Sequence, residues 1–470
     1  MTHPTNPSTP AARLSLTNLP TKPAVDPAEL TVGIVHLGLG AFHRAHQAVF
    51  TERAAQLSGE TRWGISGISQ RSTTVRDQLA PQDGLYSVLT RGTGETSIEV
   101  IASIREVLTA PEDPDAVVTR IADDKTAVVT LTVTEKGYRA TSTGALDLTD
   151  PEIQADLTGR PPRTVVGQLA AGLARRGGDP LTILSCDNLV ANGPFLQRLV
   201  HEYADAAGLK GDQFDAARFP ASMVDRIVPA TTDADRAEAA RLLGVQDEAV
   251  VVAEPFLQWV IEDHFAGARP AWETAGAVLT ADVAPWEQAK LRMLNATHSM
   301  LAYLGALRGY DTIAEAVRDE ELAAAARALI STDVIPTLTP PDGLDLPAYG
   351  ESVLERFANP ALKHKTTQVA MDGSVKLPVR LLGTIQDRLR AGAEPDSAAR
   401  AVAAWMVYVA RSETVDDPQA DRLKAATANA SSPAALVDAL LGVDSVFPKE
   451  LQDDPALRRL LTTHVTQLSE

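Results

Sequence analysis

Residues 31–50 read TVGIVHLGLGAFHRAHQAVF. The opening is a short apolar, β-branched run that ends in glycines. The remainder has helical spacing, with Phe42, Ala45, Val49 and Phe50 on one broad face. This is strand, tight turn, helix. The turn carries Gly38-Leu39-Gly40-Ala41-Phe42-His43, a dinucleotide fingerprint whose third glycine is replaced by His43. A helix N-terminus with bare backbone amides can hold a pyrophosphate. Gly38, Gly40, Phe42 and Arg44 are therefore candidate cofactor residues, against the alternative of a plain structural turn.

Working outward, a second strand is expected at Trp63–Ile68 and a helix at Thr73–Leu79. A polar turn, Pro81-Gln82-Asp83-Gly84, leads into a hairpin of Leu85–Arg91 and Ser97–Ile101. Pro114–Ala122 and Val165–Arg176 read as helices, and Thr126–Thr134 (TAVVTLTVT) and Pro180–Asn188 (PLTILSCDN) as strands. Strands alternating with helices predict a parallel sheet covered on both faces. Ligands of such sheets sit beyond the carboxyl ends of the strands. That singles out Gly38–Arg44, Ser69–Arg71, Thr134–Lys136 (Thr134 and Glu135 as cofactor candidates) and Asp187–Asn188. The second strand ends in Ser69-Gln70-Arg71, without the usual acid for the adenosine ribose. Arg71 could stack on adenine, meet a 2′-phosphate or simply be solvated, so NAD is the expected cofactor with NADP open.

Beyond about residue 284 the pattern is helical throughout, beginning with PWEQAKLRMLNATHSMLAYLGALRGY. The expected organisation is a loose lead-in over residues 1–26, an α/β dinucleotide-binding domain over 27–284 and an all-α substrate domain over 285–470. Lys plus Arg is 43 against 61 Asp plus Glu, a net charge of −18, which disfavours nucleic acid as a partner. The single cysteine, Cys186, excludes an internal disulfide and a thiolate metal cluster, and reads as packing within a strand. No run approaches the ~20 apolar residues of a membrane span. No apolar signal core stands at the start, and this with the cysteine count points to the cytoplasm. His43 and His46 have i, i+3 spacing but no third ligand near them in sequence, so no metal is expected.

Glu287, Lys290, Asn295 and His298 share the first helix of the second half. At about 100° per residue, Lys290 and His298 lie roughly 80° apart and Lys290 and Asn295 about 140° apart. An alcohol must lose a proton as its hydride leaves. A partly desolvated lysine can take that proton, and an amide can stabilise the alkoxide without being protonated. The plainer reading is a solvated helix with a Glu–Lys pair and a packing histidine.

Taken together these segments resemble the mannitol dehydrogenase family of long-chain polyol dehydrogenases. FPASMVDRIVPAT (Phe219–Thr231) resembles the family's most specific signature, and IVHLGLGAFHRAHQA, LTVTEKGY, LSCDNLVANG, EPFLQWVIED and KLRMLNATHSMLAYLG resemble its other blocks. The resemblance runs from about residue 32 to about 410. It implies a nicotinamide-dependent, metal-independent oxidoreductase with a Rossmann-type domain and a helical domain. Position by position it implies Lys290 as the base, Asn188 and Asn295 as oxyanion-stabilising amides, Glu287 as the gate for protons, and His298, Asp225 and Lys376 as substrate residues. Mannitol dehydrogenases tend to have an arginine where Gln368 stands. HKTTQVAMDGSVKLP is more like the fructuronate reductases.

The resemblance therefore implies reversible hydride transfer between NAD(H) and a linear sugar derivative. Fructuronate and mannonate are favoured modestly, because Lys363, Lys365, Lys376 and Arg380 cluster in sequence and could offset a carboxylate. Fructose and mannitol, or a pentitol, are the alternative. A reading from another class is a sensor that binds a dinucleotide or sugar acid without turnover. The partner is a small molecule, and with no heptad seam the chain is expected to be a monomer.

Overall fold

The computed structural model describes residues 12–470. They form two units, the first ending at Val283 and the second spanning Ala284–Glu470. Each is taken by itself.

The first unit is built on a six-stranded parallel sheet of β1 (Val32–Leu37), β2 (Gly64–Ser69), β5 (Ile104–Thr109), β6 (Val128–Leu131), β7 (Leu181–Ser185) and β8 (Ala217–Arg218), where β3 (Tyr86–Arg91) and β4 (Thr96–Ile101) are the expected hairpin. The spatial order is β5-β2-β1-β6-β7-β8. Counted by appearance within this sheet it is 3-2-1-4-5-6, the doubly wound dinucleotide-binding order, whose direction reverses between β1 and β6. The strands are buried on both faces, as their near-continuous apolar runs require. One face packs on Pro114–Ala122 and Val165–Arg176, which occupy the expected residues. Each of these helices starts where a side chain satisfies an orphan amide: Asp113 accepts from Ala116 N–H, and Thr164 from Gly167 N–H.

Two small sheets were not expected. β10 (Val251–Ala253) joins β3 and β4, and β9 (Ser222–Asp225), β11 (Gln258–Glu262) and β12 (Val278–Thr280) form a third sheet. These strands are three to five residues long, too short for a period-2 pattern to stand out. Trp259 lies buried among them, and Cys186 is packed in the same core, where burial pushes its thiol pKa up.

The loose lead-in needs correcting for its described part, while residues 1–11 lie outside the described residues. Leu14 is fully buried with Leu85, Val100 and Leu243. Arg13 donates to Gln82 Oε1 and to the carbonyls of Asp77 and Gln78. Scattered Pro and Thr suggested a poorly ordered or surface-draped lead-in, and one leucine side chain and one guanidinium dock its described part.

The second unit has no strand among its described residues. Its core helix, Asp396–Arg411, carries the buried Trp405 and packs against both Ala296–Leu307 and Pro455–Ser469. Three segments are π-helical: Lys290–Asn295, Leu329–Val334 and Pro378–Leu382. No helix among the described residues is long and apolar enough to cross a membrane.

Candidate active site

The first unit has a cleft of about 500 Å³ at the carboxyl ends of its central strands. Its wall comes from the turn after β1 (Gly38, Gly40), the end of β2 (Ser69–Ser72), the end of β6 (Thr132–Thr134) and the start of the helix at Thr164–Val165. These are the two sides of the switch point, where a doubly wound sheet places its ligand. Gly38 has φ +98°, and a Cβ there would run into the carbonyl oxygen of Thr132. The turn can approach β6 this closely only with glycine. The amides of Gly38 and Leu39 both donate to Ile68 O, and Gly40 N–H to Gly38 O. The first amides of the following helix, Ala41–Ala45, are the ones left for a diphosphate.

Thr134 is held at φ +66°, unusual for a β-branched residue. Asp187, just past β7, imposes it. Its carboxylate accepts from Val133 N–H at 3.0 Å, Thr134 N–H at 2.8 Å and Tyr138 O–H at 2.6 Å. Burial nevertheless raises the Asp187 pKa, outweighing those bonds. Ser69 Oγ is buried at the end of β2 with no hydrogen-bond partner among the described residues, and Arg71 is exposed beside it. A glycine cradle and an orphan hydroxyl fit a dinucleotide, while the usual acid for the adenosine ribose is missing from the end of β2.

Of the other cofactor candidates, Arg44 needs correcting. Its guanidinium turns inward, donates to Ala249 O and Gly40 O and lies over the Tyr86 ring. Phe42 stacks on His46, and Glu135 is exposed on a short 3₁₀ turn. Neither is on the cleft wall. A six-residue fingerprint marks the chain path but not which way each side chain leaves a five-residue helix. Sequence reasoning missed Arg139, Arg163 and Thr164 on the wall. Thr164 announced itself only as a helix cap.

Asn188 is exposed just past β7, and Asp225 is buried at the end of β9. Arg226 donates to the carbonyls of Glu254 and Ala45.

In the second unit, Glu287 and Lys290 are each only 8% exposed. Lys290 begins the π-turn and Asn295 ends it, and Ala296 N–H bonds to Leu291 O, five residues back. An i→i+5 turn brings residues five apart toward one face, so the 140° separation expected of an α-helix does not apply. Asn295 Nδ2 and His298 Nε2 are both buried with no hydrogen-bond partner among the described residues. The His298 ring stacks on Phe357 at 4.7 Å and lies 5.6 Å from His364. Burial first, then His364, Arg380, Lys376 and Arg356, hold its pKa well below the usual histidine range. A neutral His298 can donate or accept, as a sugar hydroxyl requires.

Lys376 donates to Met371 O at 2.5 Å and sits 3.7 Å from Asp372. Burial, then Arg380, lowers its pKa. Arg380 donates to Asn295 O at 3.3 Å and Ser299 Oγ at 3.0 Å, and has no carboxylate in ion-pair contact among the described residues. Gln368 is exposed on the short helix Thr366–Val369, and Lys363 and Lys365 are exposed as well, so neither lysine belongs to the buried group.

Residues 32–274 match the mannitol dehydrogenase Rossmann domain and residues 282–469 the mannitol dehydrogenase C-terminal domain. An uncharacterized oxidoreductase of Escherichia coli, YeiQ, is 43% identical over 92% of this chain and 91% of its own. The D-mannonate oxidoreductase of the same bacterium is 40% identical over 96% of each chain. The structure of Pseudomonas fluorescens mannitol 2-dehydrogenase with NAD and D-mannitol is 35% identical, covers 97% of each chain and superposes with a TM-score of 0.84.

Proposed function

The chain belongs to the mannitol dehydrogenase family of oxidoreductases acting on CH–OH groups, and on that premise we propose that it interconverts D-fructuronate and D-mannonate with NAD(H). The observation that carries the substrate is Arg380, a largely buried guanidinium beside Lys376 and His298 without a carboxylate of its own. Burying a cation without an ion-paired carboxylate costs several kcal/mol, even after the protein relaxes around it, and Asp372 acts on Arg380 only beyond ion-pair distance. A substrate carboxylate would offset that cost. The 40% identity to a D-mannonate oxidoreductase points the same way. Mannitol and fructose are the second reading, favoured by the D-mannitol in the P. fluorescens enzyme.

The coenzyme supplies or accepts the hydride when bound. In the reductive direction the Lys290 ammonium gives its proton to the substrate oxygen. The amides of Asn188 and Asn295 donate to that oxygen, more strongly to an alkoxide than to a neutral carbonyl, which lowers the barrier. The unpartnered Nδ2 of Asn295 supports this role. Glu287, three residues before Lys290, passes the proton between the amine and water. His298, Asp225 and Lys376 orient hydroxyls, and Gln368 stands where mannitol dehydrogenases tend to carry an arginine.

The test is NADH oxidation with fructuronate and with fructose as separate substrates. Turnover of fructuronate supports the proposal. Turnover of fructose alone defeats it.

A further inference from the structure

His36 is the last but one residue of β1, is fully buried and has no part in the hydride chemistry. Its ring is nevertheless fully engaged. Nδ1 is 2.7 Å from Thr130 Oγ1, and Nε2 is 3.1 Å from Gly38 O and 2.9 Å from Thr132 Oγ1. Thr132 Oγ1 in turn donates to Gly38 O at 2.9 Å. A proton on Nε2 serves Gly38 O, and Nδ1 then accepts from Thr130. The peptide between Gly38 and Leu39 is thus gripped from both sides. Its carbonyl is held by His36 and Thr132, and its N–H by Ile68 O.

A second observation concerns His43, where the fingerprint expects its third glycine. Its ring stacks on His36 with centroids 3.3 Å apart and planes 12° from parallel. That glycine ordinarily lets the helix approach the strand closely. Here two flat rings, face to face, fill the gap. Burial holds both rings neutral, His36 down to about 3 and His43 well below the usual histidine range. A stacked pair of imidazoliums would repel.

We propose that His36, backed by His43 and Thr132, is a positioning residue for the coenzyme. It fixes the plane of the Gly38–Leu39 peptide across the switch point, and so the direction in which the next helix presents its amides to the diphosphate. The inference rests on the cleft being the dinucleotide site.

The experiment is titration of NADH into the full chain, followed by nicotinamide fluorescence, alongside steady-state kinetics. His36→Leu keeps bulk and loses the hydrogen bonds. It is expected to raise the NADH Kd at least tenfold, with kcat at saturating NADH and the KM for the sugar little changed. His36→Gln, whose amide can reach Gly38 O, should recover most of the loss. Thr132→Val should shift Kd in the same direction, and serves if His36→Leu does not fold. An unchanged Kd in variants that merely melt earlier would overturn the inference in favour of simple core packing. Wild-type protein that binds no NADH would overturn the cleft assignment and this inference with it.

Discussion

Lys290 and Asn295 stand at the two ends of one π-helical turn. The five-residue spacing that an α-helix would splay by about 140° closes to a smaller angle on an i→i+5 turn, which brings the two positions toward one face. Residues 378–382 form a second π segment packed against it, and Arg380 bonds across to Asn295 O.

Asn295→Ala would remove the amide from this turn while leaving the backbone turn in place. Turnover should fall by about 100-fold or more, the scale of a lost oxyanion donor. Helix content by circular dichroism should barely change. A variant with full activity would show that the Asn295 amide is incidental.

Lys290→Ala should lower kcat by about 10²–10⁴-fold, the usual share of a general acid–base group, while NADH binding is kept. Oxidation needs the neutral amine, so its rate should rise with pH. Reduction needs the ammonium and should fall. Both slopes should flatten in the variant. Loss of coenzyme binding in step with turnover would instead mark Lys290 as structural.

Arg380→Met tests the carboxylate reading. Truncating one side of a buried charge pair costs about 2 kcal/mol or more, so kcat/KM for fructuronate should drop roughly 30-fold or further, at about 1.4 kcal/mol per tenfold. Any activity on fructose should fall far less. Equal losses on both substrates would tie Arg380 to Asn295 placement rather than to the carboxylate.

Gly38→Ala and Gly40→Ala should differ. Gly38 combines φ +98° with the Thr132 carbonyl at its back, and alanine there should cost about 1–3 kcal/mol of stability. Gly40 sits at φ −96° with only Gly38 O near an added methyl, so alanine should fold normally. Equal melting temperatures for the two variants would contradict the close approach of the turn to β6.

Glu52 sets a pH dependence of stability. It is buried on Gln47–Ser58, accepts from the amides of Ala102 and Ser103, and burial raises its pKa from 4.5 to about 7. The folded state therefore holds a proton that the unfolded chain releases. Stability is full below about 4.5 and is lost as pH rises through about 7. The loss amounts to about 3 kcal/mol at 1.36 kcal/mol per unit. Thermal melts between pH 5 and 8.5 should show it, and Glu52→Gln should flatten the curve.

What the sequence determined by itself was whatever depends on near neighbours. The strand and glycine turn at 31–40, the helices at 114–122 and 165–176 and the hairpin at 86–101 arise from period, caps and turn residues within a few positions, whereas the helix expected to run on through Phe50 breaks at His46 into Ala41–Ala45 and Gln47–Ser58. The residue types at Lys290, Asn295 and His298 were legible for the same reason, since their chemistry belongs to the side chains themselves. The tertiary structure alone decided where those side chains go. Arg44 turned inward because Ala249 O, 205 residues away, accepts a hydrogen bond from its guanidinium. Leu14 was pinned by residues from 85 to 245. The π-turn was invisible because no residue type distinguishes an i→i+5 bond from an i→i+4 bond. Packing against distant segments makes that choice, and with it the angle between Lys290 and Asn295 around the helix.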